Sequence, residues 1–445
     1  MDGAYDLLLS GGLVVSGNGM VRSDLAIRNG QTVRLEPEIP SGAAREVIDV
    51  KGKLILPGVI DVHTHPYYED DFEATSLTAA WGGTTTLIHY AYAFPGDRVA
   101  EAIEKAIAVA RRVSYLDFGL HVGLFEVEKQ YRQIPDVFQL GVRTFKMFMT
   151  YAKLGRMTTD YYLAAAMDLI AKHGGMAMVH AENGLATDYL EDKFNSEGMP
   201  AIEAFTRMRP ASLEAEAINR AIAIAEVVGC PIYIPHISAR RGLEPVTRAR
   251  SAKQPVFAET CPQYLVLTEE DLFKWGPLAK IGPPLRTSED NEALWRGLMD
   301  GTIDVVASDH APKAKKRDED FFNAAYGSPQ AETLLTVLYD AGVNKGGITL
   351  PRLTQLLSET PARIFGLYPR KGTIQVGSDA DLVIFDPAVR HVLTGAKQHS
   401  KAGYTLYEGR ECLGQPWMTL QRGRVVLDRD RVLARPGDGQ YLRLT

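Results

Sequence analysis

Residues 58–65 read GVIDVHTH, an apolar run of strand length that ends on two histidines. Its apolar residues occupy both faces of the run, as in a parallel strand that helices cover on both sides. His63 and His65 lie two residues apart, so on a strand their side chains project from the same face. The stretch therefore predicts a buried strand that carries two imidazoles at its carboxyl end.

Seven further segments repeat this pattern along the middle of the chain, with helix-like stretches such as 97–113 and 159–174 between them. These segments are 84–92 (TTTLIHYAY), 117–125 (DFGLHVGLF), 142–149 (VRTFKMFM), 175–183 (GMAMVHAEN), 231–238 (PIYIPHIS), 255–261 (PVFAETC) and 304–312 (DVVASDHAP). Eight strand–helix units predict an α/β protein with a (β/α)8 barrel, whose chemistry lies at the carboxyl ends of the strands.

The two ends of the chain have a different sequence pattern. Short strand-like runs such as 5–15 and 417–427 alternate there with glycine-containing turns. Neither end is long enough to bury a core alone. We therefore expect residues 1–56 and 370–445 to form one small β-sandwich domain, and residues 57–369 to form the barrel.

Composition and charge exclude several classes of partner. The chain has 445 residues and a formal net charge of -6, which removes the attraction that a phosphate backbone would need. We find no apolar run of membrane-spanning length and no pattern of an export signal at the N-terminus. Three widely spaced cysteines, Cys230, Cys261 and Cys412, fit a reducing compartment. These features predict a cytoplasmic protein without nucleic-acid or membrane partners.

Polar side chains recur at the predicted strand ends, where a barrel places its chemistry. The set comprises His63, His65, Lys146, His180, His236 and Asp309. One HxH pair alone is weak evidence, but together with His180, His236 and Asp309 at three other strand ends it favours a metal site over packed polar groups. Imidazole and carboxylate ligands suit zinc, and also iron or manganese.

Lys146 is the unusual member of this set. A buried ammonium beside a metal site would be costly and would repel the cation. The neutral amine, however, can react with carbon dioxide to give a carbamate with two oxygens, which can bridge two ions. The alternative interpretation is a lysine that extends its ammonium to the rim of the barrel.

Other histidines fit a supporting role better. His89 and His121 lie on predicted barrel strands, where a packed and hydrogen-bonded histidine is the commoner case. His310 follows Asp309 directly, so on a strand it would face the other way. We interpret it as a residue that supports the site or the fold.

Long motifs in a fixed order resemble the amidohydrolase superfamily, in its dihydropyrimidinase, hydantoinase and allantoinase branch of cyclic amidases. The likeness covers nearly the whole chain. The motifs are HTH (63–65), DDFEATSLTAAWGGTTT (70–86), FKMFMTY (145–151), MVHAENG (178–184), PHIS (235–238), AETCPQYL (258–265), GPPLR (282–286), SDHAP (308–312) and 359–387.

The resemblance implies a binuclear metal centre in a small-molecule enzyme that is commonly a homo-oligomer, a tetramer or dimer. The implied ligands are His63, His65 and Asp309 for the more buried ion, His180 and His236 for the second, and N6-carboxylated Lys146 for both. The ions are expected to be zinc, with manganese or iron as alternatives.

The resemblance also implies the chemistry, which is hydrolytic ring opening of a cyclic amide or ureide. A hydroxide that bridges the ions attacks the ring carbonyl, because metal binding lowers the pKa of water. Asp309 then takes the proton and delivers it to the departing ring nitrogen. By resemblance, the Tyr151 phenol donates a hydrogen bond to the oxyanion.

The ring that is opened is less sharply defined. An arginine just after the HxH motif would mark a dihydroorotase, but this chain has Pro66 and Tyr67 there. Tyr67 lies in the loop that contacts the ring substituent in this branch. Gly282 stands where a serine is common, and Tyr326 where an asparagine is usual. We predict Tyr67, Gly282 and Tyr326 as substrate contacts.

Three functions follow from these residues. A hydantoinase or dihydropyrimidinase type of ring opening comes first, and an allantoinase is the alternative. A dihydroorotase-like enzyme and a non-catalytic relative are disfavoured, the latter because every implied ligand is present. The charged segment 313–320 (KAKKRDED) is expected to be a solvated, self-paired loop rather than a contact for an acidic substrate.

Overall fold

A computed structural model describes residues 4–444 of the chain. They divide into two compact units. The first unit comprises the residues up to Ile88, together with Ala110–Phe118 and Gln330–Leu442. The second comprises His89–Val109, Gly119–Pro329 and the residues from Arg443.

The strands are short and numerous, as the turn-rich sequence predicts. They are β1 Tyr5–Ser10, β2 Leu13–Ser16, β3 Gly19–Arg22, β4 Asp24–Arg28, β5 Gln31–Glu36, β6 Ala44–Asp49, β7 Leu54–Pro57, β8 Val59–Thr64, β9 Thr84–Ala93, β10 Asp117–Leu124, β11 Thr144–Phe148, β12 Met176–His180, β13 Ile232–Ile234, β14 Val256–Thr260, β15 Val305–Val306, β16 Leu382–Val392, β17 Glu411–Gln421, β18 Arg424–Asp428 and β19 Arg431–Val432.

The helices cover the segments that the apolar periodicity marks. They are α1 Phe72–Trp81, α2 Val99–Val113, α3 Val127–Gln130, α4 Ile134–Phe138, α5 Asp160–Lys172, α6 Gly184–Ser196, α7 Ala201–Met208, α8 Ala211–Val228, α9 Arg240–Ser251, α10 Pro262–Val266, α11 Glu269–Trp275, α12 Ser288–Asp300, α13 Leu334–Leu338, α14 Leu350–Thr354 and α15 Thr360–Ile364. Among residues 4–444, none of these helices combines the length and hydropathy needed to cross a bilayer.

An eight-stranded sheet has the order β15-β14-β13-β12-β11-β10-β9-β8, so each strand pairs with its neighbour along the chain. Within the second unit the pairs from β10 to β14 are parallel. Helices separate successive strands, which is the connection that parallel pairing requires. This arrangement confirms the predicted (β/α)8 barrel class.

Two of the predicted barrel strands are shorter than the apolar runs suggested. β13 stops at Ile234, where Pro235 removes a backbone donor from the ladder, and β15 contains only two residues. His236 and Asp309 consequently lie on the loops that leave these strands rather than on the strands themselves. His310 forms an isolated bridge with Ser328 and is fully buried.

Strands from both termini share one sheet of the first unit, as predicted. A seven-stranded sheet has the order β19-β18-β17-β16-β7-β2-β3, and a four-stranded sheet has the order β5-β4-β1-β6. Buried side chains from both sheets form one core, with Leu9 and Leu25 from the small sheet against Ile55, Leu382 and Leu420 from the large one. Each such side chain stabilises the fold by roughly 1.5–3 kcal/mol.

A buried ion network reinforces the first unit. The Lys371 ammonium lies 2.8 Å from Asp117, 2.5 Å from Asp381 and 3.2 Å from Asp379, and Arg422 also pairs with Asp117. Burial alone would lower the pKa of Lys371, but these carboxylates raise it above its usual range. The spacing of Asp117, Asp379 and Asp381 would also suit a metal ion. The Lys371 ammonium supplies the positive charge at this position instead.

Replacing Lys371 by alanine is expected to lower the free energy of unfolding by about 3–5 kcal/mol, because buried carboxylates lose their counter-ion. Urea unfolding followed by circular dichroism measures the change. Lys172→Ala is the matched control, since the Lys172–Asp168 pair is exposed and such pairs contribute about 0–1 kcal/mol. Equal effects of the two substitutions would contradict the structural role of Lys371.

Candidate metal centre

In the first unit, His63 is on β8 and His65 follows it by two residues. Their ring centroids are 5.1 Å apart and the ring planes cross at 68°. Both side chains are buried. The Tyr67 ring packs edge-on against Phe72 at 5.7 Å, so the loop after the histidines carries its own small aromatic contact.

In the second unit, the barrel strands bring the other predicted residues near one another. The rings of His180 and His236 are 4.5 Å apart, and the ring of Tyr151 is 5.3 Å from that of His180. Lys146 is on β11, directly beside β12, which ends at His180. The set is therefore one cluster rather than a series of isolated polar groups.

Lys146 is enclosed by aromatic rings and has almost no contact with solvent. Its ammonium nitrogen lies 5.0 Å from the Tyr90 ring centre and 5.8 Å from that of Phe148. Burial lowers the pKa of Lys146 to about 8, although Asp309 opposes the shift. A lower pKa increases the share of neutral amine near pH 8. Because carbon dioxide reacts with the neutral amine, Lys146 fits a carbamate.

Three of the predicted site residues have a left-handed backbone. The φ angles are 63° for Tyr151, 44° for His236 and 52° for Asp309. This conformation costs non-glycine residues of order 1–3 kcal/mol and persists where neighbours hold it. The Glu259 carboxylate accepts from the backbone N–H of His236 at 3.1 Å, which is one such restraint. The left-handed backbone directs these three side chains differently from the extended backbone of a regular strand.

Glu182 fixes the orientation of His180. Its Oε2 is 2.7 Å from Nε2 of His180 and accepts a 2.7 Å hydrogen bond from Arg209. Burial alone would raise the pKa of Glu182, but Arg209 and His180 hold it at about 2. Because Nε2 is occupied by the carboxylate, Nδ1 is the atom of His180 that can bind a metal.

Gly282 and Tyr326 are spatially coupled. A Cβ built on Gly282 would lie 3.0 Å from the Tyr151 hydroxyl and 3.2 Å from Cδ1 of Tyr326. The rings of Tyr151 and Tyr326 meet edge to face at 5.9 Å. A serine at position 282 would therefore crowd the tyrosine at 326.

Most of the loop at 313–320 is exposed, as the prediction of a solvated segment has it, but Lys315 departs from that prediction. Lys315 is buried and donates to the carbonyls of Leu278, at 2.8 Å, and Lys280, at 3.1 Å. Lys280 in turn donates to the carbonyls of Phe321 and Phe322. Lys280 and Lys315 thus tie the loop to the barrel unit through backbone carbonyls that accept from them.

Sequence reasoning missed Glu182, Arg209 and Glu259. Glu182 had a local signal, since it lies two residues after His180 in the same segment. Arg209 had none, because it meets Glu182 from 27 positions further along the chain. Glu259 lies within the predicted strand 255–261, and its contact with His236 comes from 23 positions along the chain.

Comparison with known proteins identifies the class. The model of the amidohydrolase family matches residues 54–426. A D-hydantoinase of Ralstonia pickettii is 37% identical, and the match covers 98% of each chain. An L-hydantoinase of Paenarthrobacter aurescens is 33% identical over 98% of each chain. The crystal structure of a dihydropyrimidinase from Brevibacillus agri NCHU1002 has a TM-score of 0.94, 31% identity and 98% coverage of both chains.

The chain belongs to the amidohydrolase family. Its matched relatives are named hydantoinases and dihydropyrimidinases. In the second unit, the imidazoles of His180 and His236, with ring centres 4.5 Å apart, are ligands that suit a divalent ion.

Glu182→Gln is expected to weaken metal binding by about 10- to 100-fold, because His180 loses the carboxylate that orients it. Competition with a chelator measures the change in metal affinity. Glu191→Gln is the control, since Glu191, which lies on α6, pairs with the partly exposed Lys153. Unchanged metal affinity in a folded Glu182→Gln variant would contradict the role of Glu182.

Proposed function

We propose that the chain hydrolyses the ring C–N bond of a cyclic ureide of the hydantoin or dihydropyrimidine type. The observation that carries the proposal is the edge-on contact of the Tyr151 ring with His180, whose ring also meets His236 edge to face, near a buried lysine of lowered pKa. The names of the relatives favour this function over an allantoinase, which stays the second candidate.

Two divalent ions would be held by the predicted ligands. His63, His65 and Asp309 would hold the first, His180 and His236 the second, and carboxylated Lys146 would join them. The donor set suits zinc, with manganese or iron as the other candidates. When bound, such ions supply a water of lowered pKa and polarise the ring carbonyl.

The chain's own residues handle the proton and the developing charge. Asp309 accepts the proton of the attacking water and delivers it to the departing ring nitrogen. Burial raises the pKa of Tyr151 well above its usual range, so the phenol keeps its proton at neutral pH. It can then donate to the oxyanion that forms on the ring carbonyl.

The ring itself is bordered by Gly282 and Tyr326. A Cβ on Gly282 would lie 3.0 Å from the Tyr151 hydroxyl, and the ring centres of Tyr151 and Tyr326 are 5.9 Å apart. This proximity to Tyr151 supports both residues as contacts of the bound ring. The backbone of Gly282 is free to approach an imide edge, because no side chain intervenes. Tyr67 contacts the ring substituent.

The assembly and the compartment complete the proposal. The family resemblance supports a homo-oligomer, a tetramer or dimer. Cys230, Cys261 and Cys412 are buried and form no disulfide within residues 4–444, which fits a reducing cytoplasm.

A ring-opening assay tests the proposal. The protein is loaded with zinc, manganese or iron and offered hydantoin, 5-substituted hydantoins, dihydrouracil and allantoin, with bound metal measured alongside. We expect carbamoyl product from the hydantoins or dihydrouracil at about 1–1000 s⁻¹. Turnover of allantoin alone would favour the second candidate. Failure on every ring with two metals bound would contradict the substrate class.

Lys146→Ala is expected to abolish both metal retention and turnover, because the bridging carbamate is lost. Short carboxylates such as acetate or propionate should partly restore both, since they can occupy the vacated space. Metal content by elemental analysis and the ring-opening rate measure the outcome. Lys172→Ala serves as the control lysine on the exposed face of α5. Full activity in Lys146→Ala would remove the bridging role.

A further inference from the structure

Arg209 is a buried cation that none of the proposed steps employs. Its side chain is 4% exposed and lies at the junction where α7 ends at Met208 and Pro210 precedes α8. Arg286 donates to its backbone carbonyl. The residue is therefore anchored through its main chain before its side chain makes any contact.

The guanidinium has two kinds of neighbour. On one side it donates to Glu182 at 2.7 Å, the carboxylate that also holds Nε2 of His180. On the other side its central carbon lies 5.6 Å from the ring centre of Tyr151 and 5.1 Å from that of Tyr326. One planar cation thus contacts a carboxylate and two aromatic faces.

We propose that Arg209 is a positioning residue for Tyr151, acting through the rings of Tyr151 and Tyr326. It fixes where the Tyr151 hydroxyl lies relative to the ring carbonyl. The inference rests on the proposed function, because it assumes that the hydroxyl donates to the oxyanion. Arg209 itself touches no reacting atom in this proposal.

Two further observations make the position of Tyr151 dependent on such a contact. Its backbone is left-handed, a conformation that a bulky residue keeps only where its surroundings hold it. Its hydroxyl also has little free space, since a Cβ on Gly282 would come within 3.0 Å of it. A small rotation of the ring would therefore move the hydroxyl away from the carbonyl or into the main chain.

The planar shape of arginine matters here as much as its charge. A guanidinium stacks on aromatic faces and presents a fixed fork to a carboxylate, whereas a lysine ammonium is a compact point charge. Arg209→Lys would keep a cation beside Glu182 and lose the flat surface between the two rings. The substitution thus separates positioning of Tyr151 from charge compensation.

The test is a double-mutant cycle on kcat for the ring that the wild-type enzyme opens best. Arg209→Lys is expected to lower kcat about 10- to 100-fold, because a donor displaced by about 1 Å loses much of its effect. KM should change by less than about threefold, and metal content should match the wild type. In a Tyr151→Phe background the same substitution should change kcat by less than about twofold.

Arg250→Lys is the matched control. Arg250 also forms an ion pair, with Asp304, but lies on α9 and has no contact with either tyrosine ring. It should leave kcat unchanged. If Arg209→Lys lowers kcat equally with and without the Tyr151 hydroxyl, or leaves kcat unaltered, the proposal is overturned.

A second variant and a second readout cover the remaining outcomes. If Arg209→Lys does not fold, Tyr326→Leu takes its place, because it removes one of the two rings that contact the guanidinium. Tyr326→Leu should lower kcat when the Tyr151 hydroxyl is present and change kcat by less than about twofold in the Tyr151→Phe background. A crystal structure of either variant should show the hydroxyl displaced by about 1 Å or more. An undisplaced hydroxyl would refute the proposal. This readout needs no turnover, so it stays decisive even if the wild-type enzyme opens none of the rings.

Discussion

One carboxylate, Glu182, connects the metal-binding and the aromatic parts of the second unit. It is buried and binds both His180, a ligand of the proposed metal centre, and Arg209, which lies over the rings of Tyr151 and Tyr326. A buried anion is tolerated only with such partners, because the loss of hydration has to be offset by close charges and hydrogen bonds. The orientation of His180 and the packing around Tyr151 therefore depend on the same atom.

Desolvation has opposite consequences at neighbouring positions. At Lys146 it disfavours the charged amine, which makes the side chain available for covalent modification by a neutral molecule. At Tyr151 it disfavours the phenolate, which preserves a hydrogen-bond donor. The same dry environment thus produces a nucleophilic amine and an inert phenol a few residues apart. Lysine is charged when protonated and tyrosine when deprotonated, so burial favours the deprotonated amine and the protonated phenol.

Much of the fold and part of the site were predictable from local patterns. The alternation of apolar runs and helices predicted the barrel class, and the two-residue spacing of His63 and His65 placed both imidazoles on one face. Contacts between distant segments were not predictable. Arg209 meets Glu182, and Gly282 comes close to the Tyr151 hydroxyl, only once the chain has folded. The buried position of Lys315 was also hidden, because its acceptors are backbone carbonyls that sequence does not distinguish.

The sheet that joins both termini has a consequence for biosynthesis. β7 pairs with β16, so Leu54–Pro57 finds its partner only when Leu382–Phe385 has been made. Until then the edge of β7 exposes unpaired backbone groups and apolar side chains to other chains. Long-range pairing of this kind also folds slowly, because a large loop must close first. During translation, the nascent chain is therefore most vulnerable to aggregation at its first strands, long after they leave the ribosome.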